Sequence, residues 1–379
     1  MKKGLFVTAA LAASTSVAMA QAPTNAELYE IIQAQQSQIE ALQGNDNGGF
    51  ASAFARTSLG GYGELHYNNI KDGDDEIDFH RFVLFVNHEF NDRIRLFTEL
   101  ELEHSLAGEG KPGEVELEQA YIEFDLKENL QAKGGLFLIP VGILNETHEP
   151  NTFYGVERNN VEKNIIPTTW WEGGVMFSGE IAEGFSYDAG IHSGLFIDPN
   201  EGDYKIRSGR QKVSNAKGDD LAYTARIKYT GMPGLELAAT VQHQTDVWQG
   251  EEFGGEEEVD GTLWEAHAAY TKGDFGLRAL YARWDLDDAI EVVKEGADEQ
   301  EGFYIEPSYR LTSDLGIFVR YSEWDNQAGD SSDTEKQQYD IGFNYWLNEH
   351  VVLKADYMRE EAESGSELRG FNLGVGWSF

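Results

Sequence analysis

The sequence predicts an all-β fold: a transmembrane, up-and-down antiparallel β-barrel of about 16 strands, preceded by a short N-terminal coiled-coil helix. Three observations predict it. Apolar and polar residues alternate through most of the chain, and short and long connections alternate between these segments. Aromatic residues also gather near the short connections, as they do where a membrane meets water.

The N-terminus carries the features of a targeting segment. Lys2 and Lys3 precede an apolar run, which ends in the small-x-small sequence Ala18-Met19-Ala20. We therefore expect residues 1–20 to be a bacterial-type secretory signal peptide. A retained membrane anchor is the alternative, and the run is short for a membrane span.

Residues 21–43 are expected to form a coiled-coil segment. Apolar residues step by four and three through this stretch, with one glutamine among them: Leu28, Ile32, Gln35, Ile39 and Leu42. Such a seam is typical of a helix that clasps a dimer or trimer, although a lone amphipathic helix packed on its own domain has the same pattern. Residues 44–57, which begin GNDNGG, are expected to be a linker.

Residues 58–379 are expected to form the barrel. In the segment 93–104, Ile94, Leu96 and Leu100 alternate with charged residues such as Arg95 and Glu99. A period of two with opposite character on its two faces predicts a strand between an apolar and an aqueous environment. The same alternation recurs at 221–230, 303–311, 315–322 and 351–358.

The connections between these segments alternate in length. Short turns are expected at 90–92, 127–129, 182–184, 231–234, 272–274, 312–314 and 348–350. Longer polar loops are expected at about 70–76, 105–113, 143–170, 197–219, 247–260, 287–300, 326–334 and 363–368. Short turns at one end and long loops at the other describe an outer-membrane barrel, whose strands need only about 9–11 residues each.

Outward aromatic residues support a membrane barrel over a soluble β-sandwich, which would not concentrate them at one end. They lie on the apolar register close to the short turns: Tyr229, Tyr270, Phe275, Tyr309, Tyr345, Trp377 and Phe379. After residue 20, no stretch approaches the ~20 consecutive apolar residues of a membrane helix, and the mean hydropathy is −0.47. Strands that are half polar can still span a membrane as a closed barrel.

The net charge of −38 argues against nucleic-acid binding, which needs a basic surface. The chain has no cysteine, which excludes disulfides and thiol chemistry. The acidic segments 72–76 and 251–258 could bind divalent cations that bridge lipopolysaccharide, or could simply be solvated, since they lack the spacing of a calcium loop. We expect no metal site and no cofactor.

If the apolar register faces lipid, the polar register lines a pore. The expected pore-lining residues are Glu99, Glu101, Glu103, Glu123, Asp125, Arg226, Lys228, Arg278, Arg310, Arg320 and Lys354. The acids come from early strands and the bases from later ones, so an acidic wall would face a basic wall across the lumen. Alternatively, these charges pair with neighbouring strands and only hold a solvated wall.

The third long loop, 143–170, is the expected constriction. Its length and its apolar stretch Ile165-Ile166-Pro167 favour packing against the inside of the barrel, although an extracellular lid is the alternative. Folded inward, the loop would project Glu146, Glu149, Glu157 and Arg158 into the pore.

Two stretches, 134–175 and 316–357, carry a family resemblance. Together with the signal and coiled-coil segments, they resemble the phosphate-selective porin O and P family of Gram-negative outer-membrane channels. The resemblance implies a homotrimeric channel that prefers phosphate through basic pore residues. It also implies that the terminal Phe379 is a signal read by the barrel-assembly machinery.

We therefore expect an outer-membrane porin of a Gram-negative bacterium, a passive diffusion channel for small hydrophilic solutes or ions. Its other partners would be outer-membrane lipid and lipopolysaccharide. The net negative charge predicts cation preference, whereas the basic strands and the resemblance predict anion or phosphate preference; on balance we expect weak selectivity. An outer-membrane hydrolase and a structural tether are the alternatives. We do not expect an enzyme, because no GxSxG, HExxH or phosphate-binding glycine loop stands at a suitable junction.

Overall fold

The computed structural model describes residues 55–71, 73–200, 204–256, 258–330 and 334–379. The expected signal peptide, the coiled-coil segment and most of the linker lie outside these residues. Within them, sixteen antiparallel strands form one closed barrel, in which each strand pairs with its neighbours in sequence and β1 pairs with β16. The predicted fold class is confirmed.

The strands follow one another around the barrel in chain order. Their bounds are β1 (Thr57–Ile70), β2 (Asp75–Asn91), β3 (Ile94–Glu103), β4 (Val115–Lys127), β5 (Leu130–Leu138), β6 (Trp171–Ala182), β7 (Phe185–His192), β8 (Ala222–Tyr229), β9 (Leu235–Gln244), β10 (Gly261–Lys272), β11 (Phe275–Leu286), β12 (Glu299–Arg310), β13 (Leu315–Asp325), β14 (Lys336–Trp346), β15 (Val351–Ala362) and β16 (Glu367–Ser378). One short helix, α1 (Asn160–Asn164), lies between β5 and β6.

The two faces of the strands differ as the sequence alternation predicts. In β13, Ile317 and Val319 point outward and are 41% and 46% exposed, whereas Phe318 and Arg320 point inward and are buried. Apolar residues cover the outside of the barrel because lipid, not water, is the solvent there.

The connections are short at one end of the barrel and mostly long at the other. The long-loop end carries 104–114, 139–170, 193–221, 245–260, 287–298 and 326–335. The first and last connections at this end are shorter than the expected loops. β1 continues to Ile70 and β2 begins at Asp75, so only 71–74 connect them. Likewise, only 363–366 connect β15 to β16.

The last strand closes the barrel on the first. Phe379 donates its backbone N–H to the carbonyl of Gly61 (2.9 Å), and Gly61 donates to the carbonyl of Phe379 (3.1 Å). The Phe379 ring is exposed on the outside at the short-turn end, as are Phe275, Tyr309 and Tyr345. This arrangement matches an aromatic belt at a membrane interface.

The main apolar core lies among the long loops and the strands beside them. It joins residues of the 139–170 loop, such as Ile165 and Trp170, to Ile197, Trp248 and Trp284. Among the residues that the structure describes, no helix has the length and apolar character needed to cross a membrane.

Candidate functional site

The loop 139–170 folds into the barrel, and its two ends are held together by Asn145. The Asn145 side-chain amide donates to the carbonyls of Ile139 and Trp170 (both 2.8 Å), and its side-chain oxygen accepts from the N–H of Trp170 (2.7 Å). The buried side chain therefore forms hydrogen bonds with backbone groups at both ends of the loop. Without it, the buried N–H of Trp170 would lose its hydrogen-bond partner.

The middle of the loop reaches the strands on the far side of the barrel. Val156 donates its N–H to Asp356 of β15 (2.6 Å), and Asn344 of β14 donates to the carbonyl of Phe153 (2.8 Å). The Trp284 indole of β11 donates to the carbonyl of Ile165 (3.0 Å). The loop thus contacts several walls and narrows the lumen.

Two glycines on the inner faces of the strands make room for this loop. A Cβ at Gly316 would collide with the hydroxyl end of Tyr154, and a Cβ at Gly376 would collide with the ring of Pro150. These inward glycines therefore permit close packing of the loop against the wall.

A buried carboxylate fixes the loop around helix α1. Glu162 accepts from the N–H groups of Ile143 (2.9 Å) and Leu144 (2.6 Å) and from the Tyr304 hydroxyl of β12 (2.8 Å). Burial raises the pKa of Glu162, although these hydrogen bonds oppose the shift. The residue ties the loop both to itself and to the barrel wall.

The basic residues expected to line the pore all lie on the inner register, but most already have partners. Arg320 pairs with Glu306 and Asp340 (both 3.1 Å), and Arg226 pairs with Asp188 (2.7 Å) and with Glu146 of the loop. The others contact a carboxylate, a backbone carbonyl or an aromatic ring: Lys228 with Glu236 (3.7 Å), Arg278 with the carbonyl of Thr152 (2.8 Å), Arg310 with that of Ser313 (3.0 Å), and Lys354 over the Phe153 ring (3.5 Å). Pairing between neighbouring strands therefore accounts for Arg226, Lys228 and Arg320, whereas Arg278, Arg310 and Lys354 have no carboxylate partner among the described residues.

The expected acidic wall is also partly neutralised. Glu123 and Asp125 both bind Arg95 (2.8 and 2.6 Å), and Glu101 lies 3.5 Å from Arg81. Glu99 is buried beside the loop, and Glu103 lines a cavity between the loop and the barrel wall. Their role as pore-lining residues stays a prediction.

The four loop residues proposed for the constriction lie in different surroundings. Glu146 binds Arg226, and Glu157 binds His66 (3.0 Å) and Asn68 (3.1 Å) of β1. Glu149 contributes its backbone carbonyl to a turn, where it accepts from the N–H of Thr152 (3.0 Å). Arg158 donates to the hydroxyl of Thr169 (2.7 Å) and lines the cavity.

The cavity lies between the loop and the inner faces of β2, β3 and β4, and has a volume of about 350 Å³. Acidic residues of the strands form one side, among them Glu103, Glu116 and Glu118. Basic residues of the long loops form the other side: Arg158, Lys163, Arg207, Arg210 and Lys212. Acids of the strands and bases of the loops therefore meet in this cavity, which Arg81 of β2 and Glu157 of the loop also line. Most of the bases come from loops and not from the strands where we expected them.

Four of these cations have no carboxylate partner in the described part of the chain: Arg158, Lys163, Arg207 and Arg210. Arg207 and Arg210 instead donate to the carbonyls of Thr168 and Thr169, and Arg158 Nη2 is buried without a hydrogen-bond partner among the described residues. Lys212, in contrast, binds Glu114 (2.6 Å) and Glu116. Unpaired cations are unexpected in a chain with a net charge of −38.

The crowding of these cations has an electrostatic cost. Burial, together with the nearby guanidiniums of Arg210 and Arg158, lowers the pKa of Arg207 to about 9. Burial likewise lowers the pKa of Arg158 and Arg210. All three stay protonated at neutral pH, so an anion that entered the cavity would relieve their repulsion.

Lys163, Arg207 and Arg210 were not among the residues predicted from the sequence. Pore charges were predicted only from the inner faces of the strands and from four residues of the third long loop, which did not include Lys163. A signal was present. Residues 204–218 contain five basic residues and no acidic one, in a chain with 67 acids and 29 bases. Such a local reversal of charge in a loop indicates a site whose potential differs from that of the surrounding surface.

The chain is similar in sequence to known proteins over most of its length. A family model described as Gram-negative porin matches residues 172–365. The chain is 31% identical over 359 residues to an uncharacterized protein of Aquifex aeolicus (strain VF5), and the match covers 85% of this chain and 80% of that protein. The matched family description does not single out the phosphate-selective porins, so that narrower assignment is not confirmed.

Many solved structures share the fold, among them these two. One is an anion-selective porin from Comamonas acidovorans, with a TM-score of 0.60 and 12% identity, covering 85% of this chain and 99% of that chain. The other is the trimer form of in-vitro folded OmpT, an outer membrane protein of Vibrio cholerae, with a TM-score of 0.56, 13% identity and coverage of 85% and 99%.

Proposed function

The chain belongs to the Gram-negative porin family and is an outer-membrane channel, and we propose that it is a passive, anion-preferring diffusion path for small hydrophilic solutes. Passive diffusion needs no catalytic residue, and we propose that the protein is not an enzyme. The barrel supplies the aqueous path, the 139–170 loop narrows it, and the cavity beside the loop sets the preference.

One observation carries the anion preference: the four cations without carboxylate partners around the cavity, Arg158, Lys163, Arg207 and Arg210. A guanidinium that is already paired adds little to the potential felt by a passing ion, whereas an unpaired one attracts anions directly. The acids on the facing wall orient the field across the cavity, so that an anion would pass along the loop side.

The net charge of −38 does not decide the preference. Charges on the outer surface are screened over about 8–10 Å at physiological salt. An ion inside a narrow path therefore responds mainly to the groups that line it. The porin from Comamonas acidovorans, which shares the barrel fold, is anion-selective, and this supports the same preference here.

We also propose that the protein acts as a homotrimer. The trimer form of OmpT and the expected coiled-coil clasp at 21–43 support this assembly. Phosphate is one anion that two neighbouring arginines could bind together. The family resemblance supports phosphate as a solute of the channel. The outward Phe379, at the short-turn end, fits the proposed role as a signal for the barrel-assembly machinery.

Ion substitution in planar bilayers tests the anion preference of the wild-type channel. Replacing the anion of KCl by a bulky one, such as MES, should lower the single-channel conductance more than replacing K⁺ by Tris⁺ does. The reason is that the anion is expected to carry most of the current past the four cations. A larger fall on replacing the cation would contradict the proposal.

A further inference from the structure

A second cluster lies where the loop meets the barrel wall, next to the cavity, with which it shares Glu118. It consists of His148 of the loop, Glu99 of β3 and Glu118 of β4, and all three are buried. His148 Nε2 lies 3.5 Å from Glu99 Oε1 and 3.3 Å from Glu118 Oε2.

A β-bulge brings Glu118 into this cluster. Glu99 of β3 is opposite Gln119, but the next residue, Leu100, is opposite Leu117, so Glu118 is the extra residue of β4. Both Glu118 and Gln119 consequently approach the inner face, where regular alternation would allow only one of them. Bulges that re-aim a side chain in this way are common next to functional sites.

When the His148 ring is neutral, its Nε2 atom and the facing oxygens of Glu99 and Glu118 are all hydrogen-bond acceptors, and the Tyr62 hydroxyl, 3.4 Å from Glu99 Oε1, is the donor that approaches one of them. His148 Nδ1 lies 3.2 Å from the carbonyl oxygen of Asn145, so this nitrogen carries the proton, and in the neutral ring Nε2 presents a lone pair. His148 Nε2 and Glu118 Oε2 are buried and have no hydrogen-bond partner among the described residues, and neither has the nearby Glu101 Oε1. Acceptors gathered in this way need a cation between them.

The two distances from His148 Nε2 are longer than a charge-assisted hydrogen bond and are compatible with a shared metal ion. Ligand bonds of about 2.0–2.2 Å in a tetrahedral site put neighbouring ligand atoms about 3.4 Å apart. A charge-assisted hydrogen bond from imidazolium to carboxylate would bring the atoms to about 2.7–2.9 Å. The observed 3.3 and 3.5 Å match the first spacing.

The surroundings also have the form of a metal site. Metal-binding histidines usually donate their other ring N–H to a carbonyl or carboxylate, as His148 does to Asn145. Glu99 is oriented by Gln119, which donates to its other oxygen (2.7 Å). Glu118 lines the 350 Å³ cavity, which gives an ion a route to the cluster.

We propose that Glu99, Glu118 and His148 bind one divalent transition-metal ion of the Zn²⁺ class, which fastens the loop to the barrel wall. Two carboxylates and an imidazole are a ligand set that zinc uses, whereas Ca²⁺ and Mg²⁺ prefer oxygen ligands alone. The bound ion would hold the loop against β3 and β4, on the wall opposite the contacts with β11 to β15.

A second histidine cluster in the structure provides the control. Asp78, His80 and His104 also lie close together, but their contacts are those of ordinary hydrogen bonds. Asp78 binds the Nδ1 atoms of His104 (2.9 Å) and His80 (3.1 Å), and His80 Nε2 accepts from Arg81 (2.9 Å). No side-chain atom of this cluster is buried without a hydrogen-bond partner, so it should not be the zinc site.

Isothermal titration of the EDTA-treated full chain in detergent with ZnCl₂ tests the proposal. We expect one Zn²⁺ bound per chain, and no comparable heat with MgCl₂. His148→Gln and Glu118→Gln should each weaken binding at least about tenfold, whereas the control variant His104→Gln should leave it unchanged. Glu118→Gln preserves the side-chain shape, so it decides the outcome if His148→Gln fails to fold.

Three results would overturn the proposal: no zinc binding, binding that survives both ligand substitutions, or binding that is lost with His104→Gln instead. In the first case, His148 is a protonated imidazole paired with two carboxylates. The titration does not depend on conduction, so its failure would leave the proposed channel function untouched.

Discussion

Replacing residues 147–162 with a short Gly-Ser linker is expected to raise the single-channel conductance about two- to threefold, because a sixteen-strand barrel without its inner loop leaves a wide aqueous channel. The deleted stretch includes Tyr154, Val156 and Arg158, which lie across the lumen or line its cavity. Asn145 stays in place and still holds the two ends of the loop together. The measurement is single-channel conductance of the purified variant in planar bilayers.

A deletion in an exposed loop serves as the control. Residues 108–111, in the connection between β3 and β4, are exposed at the same end of the barrel. Removing them should leave the conductance unchanged. If the 147–162 variant inserts into bilayers and conducts as the wild type does, the loop is not the constriction.

Reversing the charge of Arg207 and Arg210 together is expected to turn the anion preference into a cation preference. The double substitution Arg207→Glu and Arg210→Glu changes the local charge by four units. At about 8 Å in water each unit is worth about 0.5 kcal/mol to a passing ion, before screening by salt. We therefore expect the chloride-to-potassium permeability ratio to fall about tenfold, which corresponds to about 1.4 kcal/mol.

Two further variants make this result interpretable. Arg207→Gln with Arg210→Gln removes the charges with less disturbance of the contacts to Thr168 and Thr169, and should give an intermediate ratio. Lys127→Glu with Lys272→Glu makes the same change in net charge on exposed residues near the short turns and should have little effect. An equal shift in this control pair would show that overall charge, and not the cavity, sets the preference.

The barrel could be predicted because its signal is local. Each strand contacts lipid on one face and the barrel interior on the other, so Ile317, Val319 and their equivalents report the alternation residue by residue. The order of the strands then follows from connection lengths, since antiparallel neighbours in sequence pair directly. The tight turns at 71–74 and 363–366 escaped this reasoning because polar residues extend β1, β2 and β16 beyond their apolar part.

The pore charges could be predicted only in part. The registers of Arg320 and Asp340 place them directly opposite each other, so the two charges cancel. Sequence alternation gives the face of each residue but not its cross-strand partner, which changes with a shift in register. The pairing of Glu162 with Tyr304 joins residues 142 positions apart in the chain, and no periodic pattern in the sequence encodes it.

The unpaired cations escaped prediction for a related reason. Arg207 and Arg210 lie in a loop without strand alternation, and they reach the cavity only because their loop packs against the 139–170 loop. Their sequence signal was the basic composition of 204–218, a compositional feature and not a periodic one.

The reversal potential of the wild-type channel in a tenfold KCl gradient tests the central claim most directly. An ideally anion-selective pore would give a reversal potential of about 59 mV. Because of the unpaired cations around the cavity, we expect a reversal potential of the same sign and a large fraction of that size. A potential of the opposite sign, or one near zero, would contradict the account of Arg158, Lys163, Arg207 and Arg210 as the groups that set the preference.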